Sequence, residues 1–303
     1  MKSISTIHSA LSHALACTLM CGGLISSAAA DEPSPIAPTT PALSCDNARF
    51  VKSITLARVW IPAPPQDVLD LGAALSEHIA AVLQKTGHFN VTLTDPTRTG
   101  DLAPAIDAFS RNQTPYFVRI SGHNFGITGQ TSPWEFLGPS TNPRGGTLDI
   151  SLANGQTPRT VAKTVLSAQP VDAGTFAPPI DARGPAFAQS LYGQSLHALT
   201  TQAAQWIDQS LGCEPLSGQV IALNGAEITI NRGVEDGLRA SDRVQVLQRS
   251  DPLIQLGQTH LPNRYLLQNL GMADIAYLGN HTTRLHLTSR QAVQIGDVIQ
   301  VGQ

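Results

Sequence analysis

Residues 203–250 read AAQWIDQSLGCEPLSGQVIALNGAEITINRGVEDGLRASDRVQVLQRS, and the hydrophobic period changes within them. Up to Leu211 the period is helical: Leu196, Leu199, Ala203, Trp206 and Ile207 fall at i, i+3, i+7, i+10 and i+11, one face of a helix. Gly212 stops that pattern. From Gly218 short alternating segments take over (GQVIAL, AEITI, RVQVLQR, then LGMADIAYL, TRLHL and DVIQV), separated by the turn signals Asn224-Gly225, Asp236-Gly237 and Gly296-Asp297. A change from period 3.6 to period 2 puts a domain boundary at Cys213. Residues 214–303 are then a small antiparallel β domain, of the size of a partly closed barrel, where closure hides strand edges that would otherwise invite aggregation.

Upstream, residues 45–213 read as a mixed-sheet α/β (α+β) domain. Phe50 to Ile61 is rich in β-branched and aromatic residues and is closed by Pro62, a mostly buried strand. Pro64 and Pro65 lead into a helix whose stripe is Val68, Leu71, Leu75, Ile79 and Val82, with Lys85 and Gly87 placed to end it. A strand (Phe89 to Leu93) and a short helix (about Leu102 to Phe109) follow. Further strands are expected at Tyr116 to Ile127, Thr147 to Leu152 and Val161 to Ala168, then one long helix from Ala186 to Leu211. Gly129 to Gly146 and Gln169 to Pro185 read as long irregular stretches, a length usually reserved for function or disorder. Trp134, Phe136 and Leu137 in the first of these are either tucked into the domain's own core or form a contact with another chain.

The amino terminus sets the compartment. Residues 1–30 carry Lys2, an apolar run from Ala14 to Ile25 and the small residues Ser26 to Ala30, the pattern of an export signal cleaved after Ala30. The run is broken by Thr18, Gly22 and Gly23 and falls short of the roughly 20 residues that span a bilayer. A lipoprotein reading competes through Cys17 and Cys21, although Ala14 and Thr18 stand where a lipobox usually has Leu. Residues 31–44, DEPSPIAPTTPALS, are a Pro-rich tether of polyproline character. The mature chain keeps Cys45 and Cys213, 168 residues apart. An even pair in an exported protein points to one disulfide, whose loop closure is worth up to roughly 5 kcal/mol in the chain-entropy model. Two buried free thiols are the other reading.

Composition excludes several classes. Of 303 residues 42% are hydrophobic and 14% charged, too apolar for a disordered polyelectrolyte. Removing Lys2 with the signal leaves 18 Lys and Arg, one fewer than the chain's 19, against 22 Asp and Glu, a net charge of −4 that argues against nucleic-acid binding. No phosphate loop, GxGxxG turn, HExxH helix, CxxC pair or GxSxG elbow is present, so no catalytic, cofactor-binding or metal-binding residue is expected. His281 and His286, five apart, face opposite sides of a regular strand. Asp236, Asp242 and Asp297 sit at turns, where carboxylates accept backbone N–H bonds.

The run 203–250, with the closing GMADIAYLG (271–279) and VQIGDVIQV (293–301), resembles flagellar assembly protein T, the H-ring component of flagellar basal bodies. The upstream half is similar to that family's middle domain, which itself resembles the amino-terminal domain of TolB and of curli-secretion-type proteins. Two features depart from the family: Ser241 precedes Asp242 where the pattern has Gly, and only a tether fits between Ala30 and Phe50, where the family commonly carries a further domain. The resemblance implies a periplasmic structural protein, not an enzyme. It would build the H ring at the outer-membrane side of the basal body, be needed for flagellar assembly and motility, and require no cofactor. Its partners would be other basal-body ring proteins and further copies of itself in a ring, with no nucleic acid and no small-molecule substrate. The alternative is a TolB-like or secretion-associated periplasmic module of another envelope complex.

Overall fold

The computed structural model describes residues 45–95, 114–126, 143–155, 159–250, 266–288 and 292–302. The signal, the tether, the helix expected near Leu102 to Phe109, and Trp134, Phe136 and Leu137 lie outside the described residues. The first module is a five-stranded mixed sheet in the order β3-β1-β4-β6-β7. Its strands are β1 (Lys52–Ala57), β3 (Phe89–Thr94), β4 (Tyr116–His123), β6 (Thr147–Asn154) and β7 (Arg159–Ser167). β1 runs parallel to both β3 and β4, and β6 and β7 add antiparallel strands. The crossover from β1 to β3 is α1 (Leu71–Thr86). One sheet face, with Ile54, Leu56, Val118, Ile120, Leu148 and Ile150, packs with the helices into a single core. The opposite face holds a small buried cluster of Ala57, Phe117 and Ala153, with Thr55 and Thr114 hydroxyls hydrogen-bonded at 2.6 Å.

Three sequence expectations are corrected in this module. Val68 is not on the helix: with Leu69 it forms β2 (Val68–Leu69), parallel to β9 (Ile180–Asp181), because Asp70 adopts a left-handed conformation (φ 55°) and α1 starts only at Leu71. Leu71, Leu75 and Ile79 are buried as expected, and Leu83, one position past Val82, completes the stripe. The long helix is two: α2 (Pro185–Gln189) and α3 (Leu191–Leu211) meet at Ser190, which is extended and whose hydroxyl accepts the Gly193 N–H at 3.0 Å. On α3, Leu196, Leu199, Ala203 and Ile207 are buried, whereas Trp206 is only partly so. Gln169 to Pro185 is not simply irregular. It contributes β9 and also β8 (Val171–Asp172), which pairs with β5 (Pro143–Arg144).

The second module is a closed six-stranded barrel, where the sequence reading gave a partly closed one. β10 (Leu216–Asn224), β11 (Glu227–Ile230), β12 (Arg243–Ser250), β13 (Leu266–Leu278), β14 (Thr283–Leu287) and β15 (Val298–Val301) close in the order β10-β11-β14-β13-β12-β15. Closure falls to the four residues of β15, which bond antiparallel to β10 on one side and β12 on the other, leaving no free edge. Gly225, Gly237 and Gly296 all take positive φ at the three expected turns.

Candidate functional site

Open α/β sheets present their crevices at the carboxyl ends of their strands, and among the described residues β2, β5, β8 and β9 lie beyond the carboxyl end of β1. Beyond Ala57 the chain continues as an isolated bridge: the Trp60 N–H donates to Ile120 O at 3.1 Å, and Trp60 O accepts the Gly122 N–H at 2.8 Å. It then turns through Pro64 and Pro65 to β2. A groove of about 470 Å³ lies here, lined by Trp60, Ile61, Pro64, Pro65 and Leu69 among others, with Leu69 exposed.

Arg144 holds this pole together. Its side chain is 1% exposed, the largest fully buried one among the described residues. Its fork donates to both Asp67 oxygens (2.7 and 2.9 Å) and to Gly174 O (3.1 Å), while the guanidinium carbon lies 4.4 Å from the Tyr192 ring centre and 5.4 Å from that of Phe176. Asp67 also accepts the Phe176 N–H at 2.9 Å. Burial works to raise the Asp67 carboxyl, but the hydrogen bonds and charge of Arg144, with the Phe176 N–H, outweigh it and hold the group below the usual carboxylate value. Burial pushes the Tyr192 phenol up, and its hydroxyl donates to Phe125 O at 2.6 Å. One ionic clamp thus fixes β2, β5 and the 169–184 segment against α3.

Beside it, α1 and α3 frame a cleft of about 240 Å³ lined by Ala74, His78, Ala182, Arg183, Phe187 and His197, among others. His78 and His197 stack with ring centres 4.4 Å apart. His78 Nδ1 and Thr200 Oγ1 are 2.6 Å apart. The Thr200 hydroxyl also lies 3.0 Å from both Leu196 O and His197 O, so it ties the imidazole to the backbone of α3. Burial first, and the charge of His197 second, lower the His78 pKa, so the imidazole is neutral near pH 7. At the rim Arg183 forks onto Glu77 (2.8 and 3.0 Å) and reaches Asp70 at 3.2 Å. The cleft offers a small apolar floor, a stacked imidazole pair and an ion pair at its rim. Among the described residues no group of three or more His, Cys, Asp or Glu side chains could hold a metal ion.

The expected sulfur pair is at the other end of the sheet. Cys45 and Cys213 form a disulfide, with Cα atoms 5.8 Å apart, joining the segment before β1 to the end of α3. Next to it Lys52 is buried, its ammonium donating to Gly212 O (2.7 Å) and Asn47 O (3.0 Å). Burial lowers its pKa to about 8, against the pull of Asp208 and Glu214. The three turn aspartates take the role read for them: Asp236, Asp242 and Asp297 accept the N–H groups of Gly233, Arg239 and Gln294 at 2.9, 2.8 and 2.7 Å. His281 sits 3.2 Å from Glu235 in the turn before β14, and His286 lies within β14, in register with Glu227 and Asp274.

No family model matches the chain, and no curated protein matches it. Among solved structures it is similar to the PelC dodecamer from Paraburkholderia phytofirmans, with a TM-score of 0.34 at 11% identity, over 54% of this chain and 89% of that one. It is also similar to the hypothetical protein CT253 from Chlamydia trachomatis (TM-score 0.38, 10% identity, 53% of this chain and 98% of that one). The lipoprotein GNA1162 from Neisseria meningitidis scores 0.32 at 11% identity, over 50% of this chain and 98% of that one. Likeness at this level assigns neither a family nor a function.

Sequence reasoning missed Arg144, Asp67, Tyr192 and the histidine pair. Asp67 and Arg144 are 77 residues apart, and no spacing rule links them.

Proposed function

We propose that the chain is an exported structural protein of the bacterial cell envelope that assembles into the H ring of the flagellar basal body, on the outer-membrane side. The observation that carries this reading is the run 203–250, whose resemblance to flagellar assembly protein T spans the end of α3, the β10–β11 hairpin and β12, the region that joins the two modules. The disulfide supports a periplasmic location, since such bonds persist in oxidising compartments. In this role the protein performs no turnover and offers surfaces to other ring subunits and to further copies of itself. Deleting the coding sequence in its flagellated host is expected to abolish swimming and leave basal bodies without the outer ring. Normal motility with intact rings would overturn the proposal. Pull-down from envelope fractions that recovers secretion components in place of ring proteins would favour the alternative envelope module.

A further inference from the structure

Residues 45–51 precede β1 in sequence, yet Arg49, Phe50 and Val51 reach the barrel. Phe50 is 1% exposed and belongs to the barrel's core, with Leu216, Val220, Val244 and Val301. Arg49 donates to Gly237 O at 2.8 Å and to Asp242 Oδ1 at 2.6 Å, and the Val51 N–H donates to Asp236 O at 3.2 Å. Gly237 has φ 87°, and a Cβ there would stand 2.6 Å from Arg49 O, so this turn is shaped for close passage of the segment. At its two ends the segment is fastened to the α/β module: by the Cys45–Cys213 bond, by Asn47 Nδ2 donating to Cys213 O at 3.0 Å, and by Lys52 bridging Asn47 O and Gly212 O.

We infer that residues 45–51 are a strap whose disulfide is a redox-set latch, locking the barrel onto the α/β module only after export. A thiol–disulfide oxidant accepts two electrons and two protons from the Cys45 and Cys213 thiols; the S–S bond forms here while the oxidant's own disulfide becomes a dithiol. Before that step the barrel is joined to α3 by the Gly212–Pro215 link and by a strap with a free amino-terminal side, so Phe50 leaves its seat more often. After it, the strap is closed at both ends and the seat stays filled. The inference does not depend on which envelope machine the protein serves.

Hydrogen exchange on the full mature chain tests this, comparing the oxidised protein, the folded protein after reduction with dithiothreitol, and Phe50→Ala with its disulfide intact. Reduction is expected to speed exchange at Val51, residues 236–242 and β15 by roughly tenfold or more, while β4 and β6 keep their oxidised rates. Phe50→Ala is expected to speed the same barrel amides although the disulfide remains formed. Unchanged barrel exchange on reduction would overturn the latch, and so would equal loosening or complete unfolding of both modules, which would make the bond a general stabiliser. Unchanged exchange in Phe50→Ala would overturn the strap's seating.

Discussion

The two ends of β1 are secured by different chemistry. At Lys52 the chain is tied covalently through Cys45–Cys213 and by hydrogen bonds from side chains to backbone carbonyls. Beyond Ala57 there is no covalent tie among the described residues: one buried guanidinium, close to the Tyr192 and Phe176 rings, gathers three segments onto a single carboxylate. The first arrangement shares its hold between one covalent bond and a few hydrogen bonds, and acts partly by restricting the unfolded chain. The second concentrates it in one pair, whose desolvation is offset only while every partner is in place. The carboxyl-end pole is therefore more vulnerable to a single substitution, and the amino-end pole to a change of redox state.

The largest expected effect breaks the ionic clamp. Arg144→Ala strands Asp67 and should cost about 3–5 kcal/mol of folding free energy in urea titration, with Arg144→Lys recovering little because an ammonium cannot fork. A loss under about 1 kcal/mol would show that this pole does not rest on the Arg144–Asp67 pair. Next, Cys45→Ser should lower stability by about 2–4 kcal/mol, read as a shift of the guanidinium midpoint under non-reducing conditions. Wild type measured with dithiothreitol should fall to the same midpoint. Ser190→Ala removes the cap at the α2–α3 break and should cost about 1 kcal/mol by thermal denaturation, without altering either pole.

The smallest effects are slopes with pH. Lys52 has its folded pKa near 8 against an ordinary 10.5, so between those values the unfolded chain binds more protons and stability rises with pH. Above about pH 10 the raised Tyr192 phenol works the other way, because the unfolded tyrosine gives up its proton first. The window to measure is therefore pH 8 to 10, where Lys52→Met should flatten the slope. On the acid side the folded pKa of His78 lies below its ordinary 6.5, so the unfolded chain takes up the proton first and stability falls as pH drops through 6.5. His78→Gln should reduce that fall; an unchanged acid limb would remove the stacked pair as its cause.

Features written in short-range pattern were legible. The period change near Cys213, the stripes Leu71–Leu75–Ile79 and Leu196–Leu199–Ala203–Ile207, and the turn glycines each depend on residues within a few positions, and each stands where it was read. With Cys17 and Cys21 read as part of the signal, the count left Cys45 and Cys213 either bonded or as two free thiols, and the structure shows the bond. Val68 misled because its spacing fits the helix while Asp70, two residues on, takes the conformation that forbids it. Ser190 misled in the opposite sense: its side chain marks a helix start, but the apolar period runs on across the break.

By itself the sequence determined the two-module order and the helical and alternating faces, because these follow from periodicity and residue type along the chain, and it narrowed Cys45 and Cys213 to a bond or two free thiols. Only the tertiary structure decided that β15 closes the barrel, that Phe50 belongs to that barrel's core, and that Arg144 meets Asp67 beside the Tyr192 ring. Those contacts join segments far apart in sequence. Their free energy comes from desolvation and packing at the meeting point, and neither exists until the chain has folded.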